Sequence, residues 1–292
     1  MTRSTLAAGL TALALIFSGA AQAQGFLDLV KHALPHDEKQ EYRSGTISQD
    51  QALALYSPKQ QQLTFDACAD QFPAGKPINI GTVSAKMQPM ALCSDDFAVL
   101  YSKTSKTPLM VAERLNAARL RDAKGEQRTN DFYPDPRIPK DGRAELADYS
   151  KQHPSVDRGH QSPAGDQPSG KAMAQSFALS NMVPQDPDNN RKAWNKVESD
   201  VRKFVLRAGG DVFVFTGPLF DKGFETVGEN KVWKPTRLYK LVYDASSNRA
   251  WAYVLDNKPV NVEKPMDYAT FVQTTGLRLL DHLTVTGTAG RG

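Results

Sequence analysis

The residue best suited to move a proton at neutral pH is His160. It is one of five histidines, and the one set in a compact polar cluster, Asp157-Arg158-Gly159-His160-Gln161. Its imidazole titrates near neutrality and can take a proton from water. Further along, Asn190, Trp194, Glu198 and Arg202 recur at steps of four, which on a helix makes one slowly turning row with Asn190 at its amino end. Asn190 offers an amide oxygen and Glu198 a carboxylate, the donor types a hydrated magnesium ion accepts. Arg158 and Arg202 offer planar forks that match phosphate. A phosphodiester resists hydrolysis because its anion repels nucleophiles and its alkoxide leaves poorly. Cleaving it takes a base for water, a cation on the leaving side and positive charge at the equatorial oxygens, and these residue types supply all three. Each piece also has a plain structural reading. Asp-Arg-Gly-His alone is a weak signal, and Asn, Glu and Arg at steps of four also describe a capped surface helix with an ion pair along it. His32 and His36 mimic a helical metal pair, but Pro35 between them disfavours the helix and they read as solvated surface.

The elements that must position these residues are of both kinds. Asp186-Pro187 reads as an N-cap with proline in the first turn, and Gly209-Gly210 as a stop, so a helix of about five turns is expected between them. Its apolar stripe is Ala193, Val197, Val201, Phe204 and Val205. Strands are expected at Phe97 to Tyr101, Val212 to Phe215, Leu238 to Tyr243, Trp251 to Leu255 and Leu283 to Val285, and a helix at Pro108 to Leu120. Residues 121–156, with Pro134, Pro136, Pro139 and Pro154, read as a long polar surface excursion. The strands lie too close together for regular βαβ units, so the fold class is α+β: a mixed central β-sheet with flanking helices.

Several separated motifs in one order carry a resemblance. Asp157-Arg158-Gly159-His160, then Leu179-Ser180-Asn181-Met182-Val183-Pro184-Gln185, then Asn190, Ala193-Trp194 and Glu198, resembles the family of sugar-non-specific bacterial nucleases and mitochondrial endonuclease G. Arg128-Thr129-Asn130, Thr216-Gly217-Pro218-Leu219 and Lys240-Leu241-Val242-Tyr243-Asp244 extend the likeness over roughly residues 90–260. The resemblance implies a ββα-metal (His-Me finger) active site that hydrolyses phosphodiester bonds of DNA and RNA to leave 5′-phosphates. Residue by residue, it implies His160 as general base and Asn190 as the direct protein ligand of Mg2+, with Mn2+ as the alternative ion. Glu198 matches the residue that holds metal-bound water. Arg128, Arg158 and Arg202 match the arginines around the scissile phosphate, and Asn181 the asparagine that supports the site. Asp157 and Gln185 match without an assigned role. The implied partners are DNA and RNA, with an inhibitor protein as a further one.

Composition is permissive. Net charge is +4, of which one unit belongs to Arg3, and the isoelectric point is near 8.9. That balance suits a phosphate binder only if the charge is clustered. Arg3, the apolar run over residues 6–17 and Ala21-Gln22-Ala23 read as a signal peptide over 1–23, cleaved after Ala23, which places the chain in the periplasm or outside the cell. The run is short of the roughly 20 residues that span a bilayer, so no stable membrane insertion is expected. Residues 24–60 read as an N-terminal arm and 61–292 as the endonuclease domain. The two cysteines, Cys68 and Cys93, suit a bridge, with two buried free thiols as the other reading. Two rival functions use the same residues. A silent polyanion-binding module needs Arg158 and Arg202 but not His160 and Asn190; a small-phosphodiester hydrolase shares the chemistry and differs in cleft shape.

Overall fold

Strand runs whose apolar side chains point alternately to either side build a two-faced sheet, and that sheet is the centre of the described residues. The computed structural model describes residues 47–150 and 155–285. The expected signal peptide and residues 24–46 of the expected arm lie outside them. Seven strands pair in the order β1-β2-β3-β6-β9-β10-β11, namely Pro89–Cys93, Ala98–Ser102, Thr107–Leu115, Val212–Leu219, Arg237–Asp244, Arg249–Asp256 and Met266–Asp267. Every ladder in it is antiparallel. The α+β class expected from the sequence is therefore found. Two short ribbons stand apart from the sheet: β4 (Asp157–His160) with β5 (Met182–Gln185), and β7 (Glu225–Val227) with β8 (Val232–Lys234).

Side chains two apart share a face, so each strand divides its apolar residues between two cores. Phe213, Phe215, Leu241 and Tyr243 join Leu100, Met110 and Phe271 on one face. Val212, Val214 and Val242 face the other way, toward Val201 and Val205 of a helix, and Leu238 meets Trp194 and Val197 of the same helical stretch. The buried stripe expected for this helix is present, with Phe204 standing edge-on to Trp251 at 4.7 Å.

Three expectations change. The stretch from Pro108 to Leu120 is strand to Leu115, and only Ala117–Ala123 is helical, behind the Asn116 cap. Nearly continuous burial of Thr107–Leu115 gives it the apolar run that strands and buried helices share, which hides the period. Of the expected excursion over 121–156, residues 121–150 are polar but not a free surface loop, because Tyr133, Ile138, Ala144 and Tyr149 are buried. Asp135 and Arg137 are buried there as an ion pair at 2.6 Å, and Arg137 also lies 3.7 Å over the Tyr56 ring. Charges neutralised in pairs enter a core that their polarity alone would deny them. Leu283 and Val285 pack on the first core without joining a ladder. Cys68 and Cys93 are joined by a disulfide, and Arg137 Nη1 donates to the Cys93 carbonyl at 2.5 Å.

Candidate active site

A hairpin and one helix carry most of the chemistry. In the β4–β5 ribbon His160 stands opposite Met182 and Asp157 opposite Gln185. Alternation along β4 puts Asp157 and Gly159 on one side and Arg158 and His160 on the other. Gly159 is required by its neighbour, since a Cβ there would lie 2.8 Å from the Cβ of Gln185. After β5 the chain turns into the helix. Asp186 Oδ1 accepts from the Asn189 amide at 2.9 Å, as the expected N-cap does. Asn257 pins the junction, accepting from Asp186 N at 2.8 Å and donating to Pro184 O at 3.0 Å.

The helix opens with a wide turn. Asn189–Trp194 is a π-helical segment, in which Asn195 N donates to Asn190 O, and Asn195–Val205 continues as α-helix, here α5 after Gln49–Ala54 (α1), Ala117–Ala123 (α2), Leu146–Tyr149 (α3) and Gly170–Ser176 (α4). Asn190 sits in that wide turn with its Nδ2 donating to Asp157 Oδ2 at 2.9 Å. Arg191 clamps the same carboxylate, Nε at 2.9 Å and Nη2 at 2.6 Å. Because an amide presents its nitrogen and oxygen on opposite sides, the bond to Asp157 turns the Asn190 oxygen away from the carboxylate.

His160 is 8% exposed, and its buried Nε2 has no hydrogen-bond partner. Phe132 and Phe177 flank the ring at 5.6 and 5.1 Å. Two arginines lie over those same phenyl rings, Arg158 at 4.0 Å from Phe132 and Arg128 at 5.3 Å from Phe177. Burial, then the charges of Arg128 and Arg158, push the imidazole down to about 3, so at neutral pH it is uncharged with a lone pair available. Asn181 holds the turn that follows His160. Its Oδ1 accepts from Ser162 N, and its Nδ2 donates to Ser162 O and Ser176 O, each at 2.9 Å.

Glu198 and Arg202 lie one turn apart on α5. Arg202 Nε donates to Asp166 at 2.5 Å and its Nη2 to Glu198 at 3.3 Å. Burial raises the Glu198 carboxyl, against the pull of Lys240 and Arg202. The field of Glu198 also reaches Arg128. The structure thus gathers His160, Arg158 and Arg128 around two phenyl rings, and links Arg128 through Glu198 to Arg202. Asn190 is tied to this group through Asp157, on the strand that carries His160. Phe132, Phe177, Glu113, Asp166 and Lys240 complete the surroundings, and of these Phe177, Glu113 and Asp166 drew no notice in the sequence. A charged residue inside an apolar strand run, as Glu113 and Lys240 both are, is the signal that points to two of them.

Among the described residues no group of three His, Cys, Asp or Glu is placed to hold a metal ion. The oxygens here, one neutral amide at Asn190 with the Glu198 carboxylate further along the helix, fit an ion that keeps most of its own water, as magnesium does. They do not fit zinc, which takes three or four nitrogen, sulfur or carboxylate ligands.

Residues 75–282 match the profile of DNA/RNA non-specific endonucleases. The chain belongs to that family. Among its curated relatives, it is 38% identical over 179 residues to mitochondrial nuclease EXOG of Danio rerio, covering 56% of this chain and 51% of that protein. It is 34% identical over 187 residues to mitochondrial endonuclease G of Homo sapiens, covering 59% of this chain and 62% of that protein. The chain thus spans about half the length of the EXOG relative it matches. Among solved structures, endonuclease G in the EndoG/EndoGI complex superposes with a TM-score of 0.60 at 26% identity, covering 68% of this chain and 89% of that one.

These members of the family overturn the expected address. EXOG and endonuclease G are mitochondrial proteins, so the periplasmic or secreted location expected from residues 1–23 does not stand. That segment has one arginine, no acidic residue and several serines and threonines. Those features are shared by more than one kind of targeting segment, and the apolar run alone did not separate them. No helix of the described residues is long and apolar enough to cross a membrane.

Proposed function

We propose that this chain is an endonuclease that hydrolyses phosphodiester bonds of DNA and RNA without marked sequence preference, with His160 as general base and Asn190 as ligand of a magnesium ion. The observation that carries the reading is the His160 imidazole, neutral, walled by Phe132 and Phe177, with an unpartnered Nε2 and two arginines over the same rings. A polyanion-binding module has use for the arginines and none for a buried imidazole kept free of partners.

In this reading Arg128 and Arg158 hold the non-bridging oxygens of the scissile phosphate, and the phenyl rings fix where each guanidinium rests. His160 accepts the proton of the attacking water on its imidazole. The phosphate offsets the two arginine charges that depress the imidazole, so the base strengthens when substrate arrives. Asn181 fixes the 160–162 turn, and Asp166 holds Arg202 beside Glu198. Asp157 keeps the Asn190 oxygen turned outward. Magnesium, when bound, supplies positive charge to the leaving oxygen and orders water in the site. Contacts made to phosphate and sugar carry little sequence information, which fits action on both nucleic acids. EndoGI is the partner named with endonuclease G in its solved complex, and an inhibitor protein is the partner class we assign here.

The test is cleavage of supercoiled plasmid and structured RNA by the purified chain with magnesium, with manganese, with chelator, and with His160→Ala. Loss of both substrates in metal only, abolished by the substitution, is the expected result. A salt-sensitive gel shift without cleavage would replace the enzyme by a binding module. Turnover of small phosphodiesters that polynucleotide does not compete would replace it by a small-ester hydrolase.

A further inference from the structure

The two rings that flank His160 are backed by residues that precede the family-matched span, which begins at residue 75. Ala52 of α1, with Leu55 and Tyr56 just after it, shares one buried cluster with Tyr133, Met173 and Phe177, and Phe132 packs against that cluster. The segment is tied down by its main chain as well, since Gln175 Nε2 of α4 donates to Leu55 O at 2.7 Å. Tyr56 carries the contacts that lead to the site. It is 3% exposed, and its hydroxyl shares a hydrogen bond with that of Tyr133 at 2.8 Å.

From Tyr56 two paths of contact run to His160. The first passes through Tyr133, whose amide donates to Phe177 O at 3.3 Å and whose carbonyl accepts from Leu179 N at 2.8 Å. Phe132 precedes Tyr133 in the chain and stands edge-on to Phe177 at 4.9 Å, so the setting of Tyr133 is passed to both rings. The second path passes through Arg137, whose guanidinium lies 3.7 Å over the Tyr56 ring and forks onto Asp135 at 2.6 and 2.9 Å. The same carboxylate accepts from Ser180 Oγ at 2.6 Å. Ser180 precedes Asn181, which holds the turn after His160. A cation seated on a ring and a buried hydroxyl pair fix direction as well as distance. Resting on the reading above, we propose that Tyr56 is a positioning residue for phosphodiester hydrolysis: from outside the family-matched span, it sets the Phe132–Phe177 wall that holds His160, Arg128 and Arg158. It acts through Tyr133 and Arg137 and not by contact with the reacting atoms.

The experiment uses the full chain as Tyr56→Phe, Tyr133→Phe, the double variant and Tyr56→Leu. Tyr56→Phe keeps the ring beneath Arg137 and leaves the buried Tyr133 hydroxyl without that partner. In plasmid cleavage at a temperature where it is fully folded, kcat is expected to fall about fivefold. KM is expected to stay, because a polynucleotide binds through many phosphates and only the reacting one meets this wall. The double variant should cost no more than either single one, since two apolar rings strand no hydroxyl. Phe271→Leu, in the core on the sheet face away from α5, is the control: it lowers the urea midpoint and leaves kcat as in wild type. The second readout needs no turnover. The imidazole signals of His160 are followed by proton–nitrogen NMR of metal-free protein and assigned with His160→Gln. Tyr56→Phe and, more strongly, Tyr56→Leu are expected to displace them through the ring currents of Phe132 and Phe177, while exposed His282 stays in place. Signals left at their wild-type positions would overturn the proposal. So would a kcat loss no larger than that of Phe271→Leu, or full additivity of the two hydroxyl removals. Should Tyr56→Leu not fold, Tyr56→Phe decides alone. An inactive wild type would sink the nuclease reading and leave the imidazole signals to decide this one.

Discussion

Replacing His160 with glutamine should flatten part of the chain's acid instability. In the folded chain the imidazole is pushed from 6.5 to about 3 by burial, then by Arg128 and Arg158. In the unfolded chain it protonates in the ordinary range near 6.5. Below that pH the unfolded state gains a proton that the folded state refuses. This contribution to stability is therefore fully present above 6.5 and is lost as pH falls toward 3. At about 1.36 kcal/mol per pH unit, the fall from pH 7 to pH 5 costs the wild type about 2 kcal/mol through this one residue. His160→Gln has no such proton to gain. The assay is urea unfolding of both proteins at pH 7 and pH 5. The quantity of interest is the difference between their two losses, in which every other titrating group cancels. A difference near about 2 kcal/mol in the expected direction supports the depressed imidazole. Equal losses in the two proteins would show that His160 titrates normally, and the account of a neutral base lodged beside two arginines would fail.

Gly159→Ala should force the β4–β5 ribbon apart, because its new Cβ would meet the Cβ of Gln185 at 2.8 Å and that atom has no rotamer to give. A loss of about 1–3 kcal/mol in unfolding free energy is expected, with a fall in plasmid cleavage because the displaced strand carries His160. Asn181→Ala removes three buried hydrogen bonds and leaves both backbone groups of Ser162 without those partners. It should lower stability by about 3 kcal/mol, read as a shift of the urea midpoint, and reduce cleavage even at temperatures where the variant is fully folded.

Much of the site was legible because its parts are local in sequence. Asp157 to His160 form one strand, and Asn190 to Arg202 one helical stretch, so spacing grouped these side chains by element, while the roles proposed for them came from the resemblance. The helix start at Asp186-Pro187 and the apolar stripe below it followed from capping chemistry and periodicity in the same way. The long-range parts were not legible. Phe132 and Phe177 meet His160 only because residues 121–150 fold inward around the Asp135–Arg137 pair, and nothing in a polar, proline-rich segment announces that its charges neutralise each other. Glu113 and Lys240 come together through strand order, β3-β6-β9, which no local pattern encodes. The break at Leu115 was missed for a different reason: a strand buried on both faces has no period to read.

The wide turn at Asn189–Trp194 bears on how such a sequence can vary. In an ordinary helix a step of four residues overshoots one turn, whereas in a π-helical turn it falls short. The two errors have opposite sign, so from Asn190 through Trp194 to Glu198 they offset, and the proposed ion ligand and the carboxylate return to nearly the same line along the helix. Deleting one residue between Asn190 and Trp194 would convert the wide turn to a regular one. Helical hydrogen bonding would survive, the apolar stripe from Trp194 onward would stay in phase with the sheet, and Asn190, now three residues of regular helix before Trp194 in place of four of the wide turn, would move round the axis by only about 30°. A shortened descendant of this chain would thus keep its fold and nearly keep the line from Asn190 to Glu198. Sequences that carry every motif residue but lack that one position are not for that reason inactive copies.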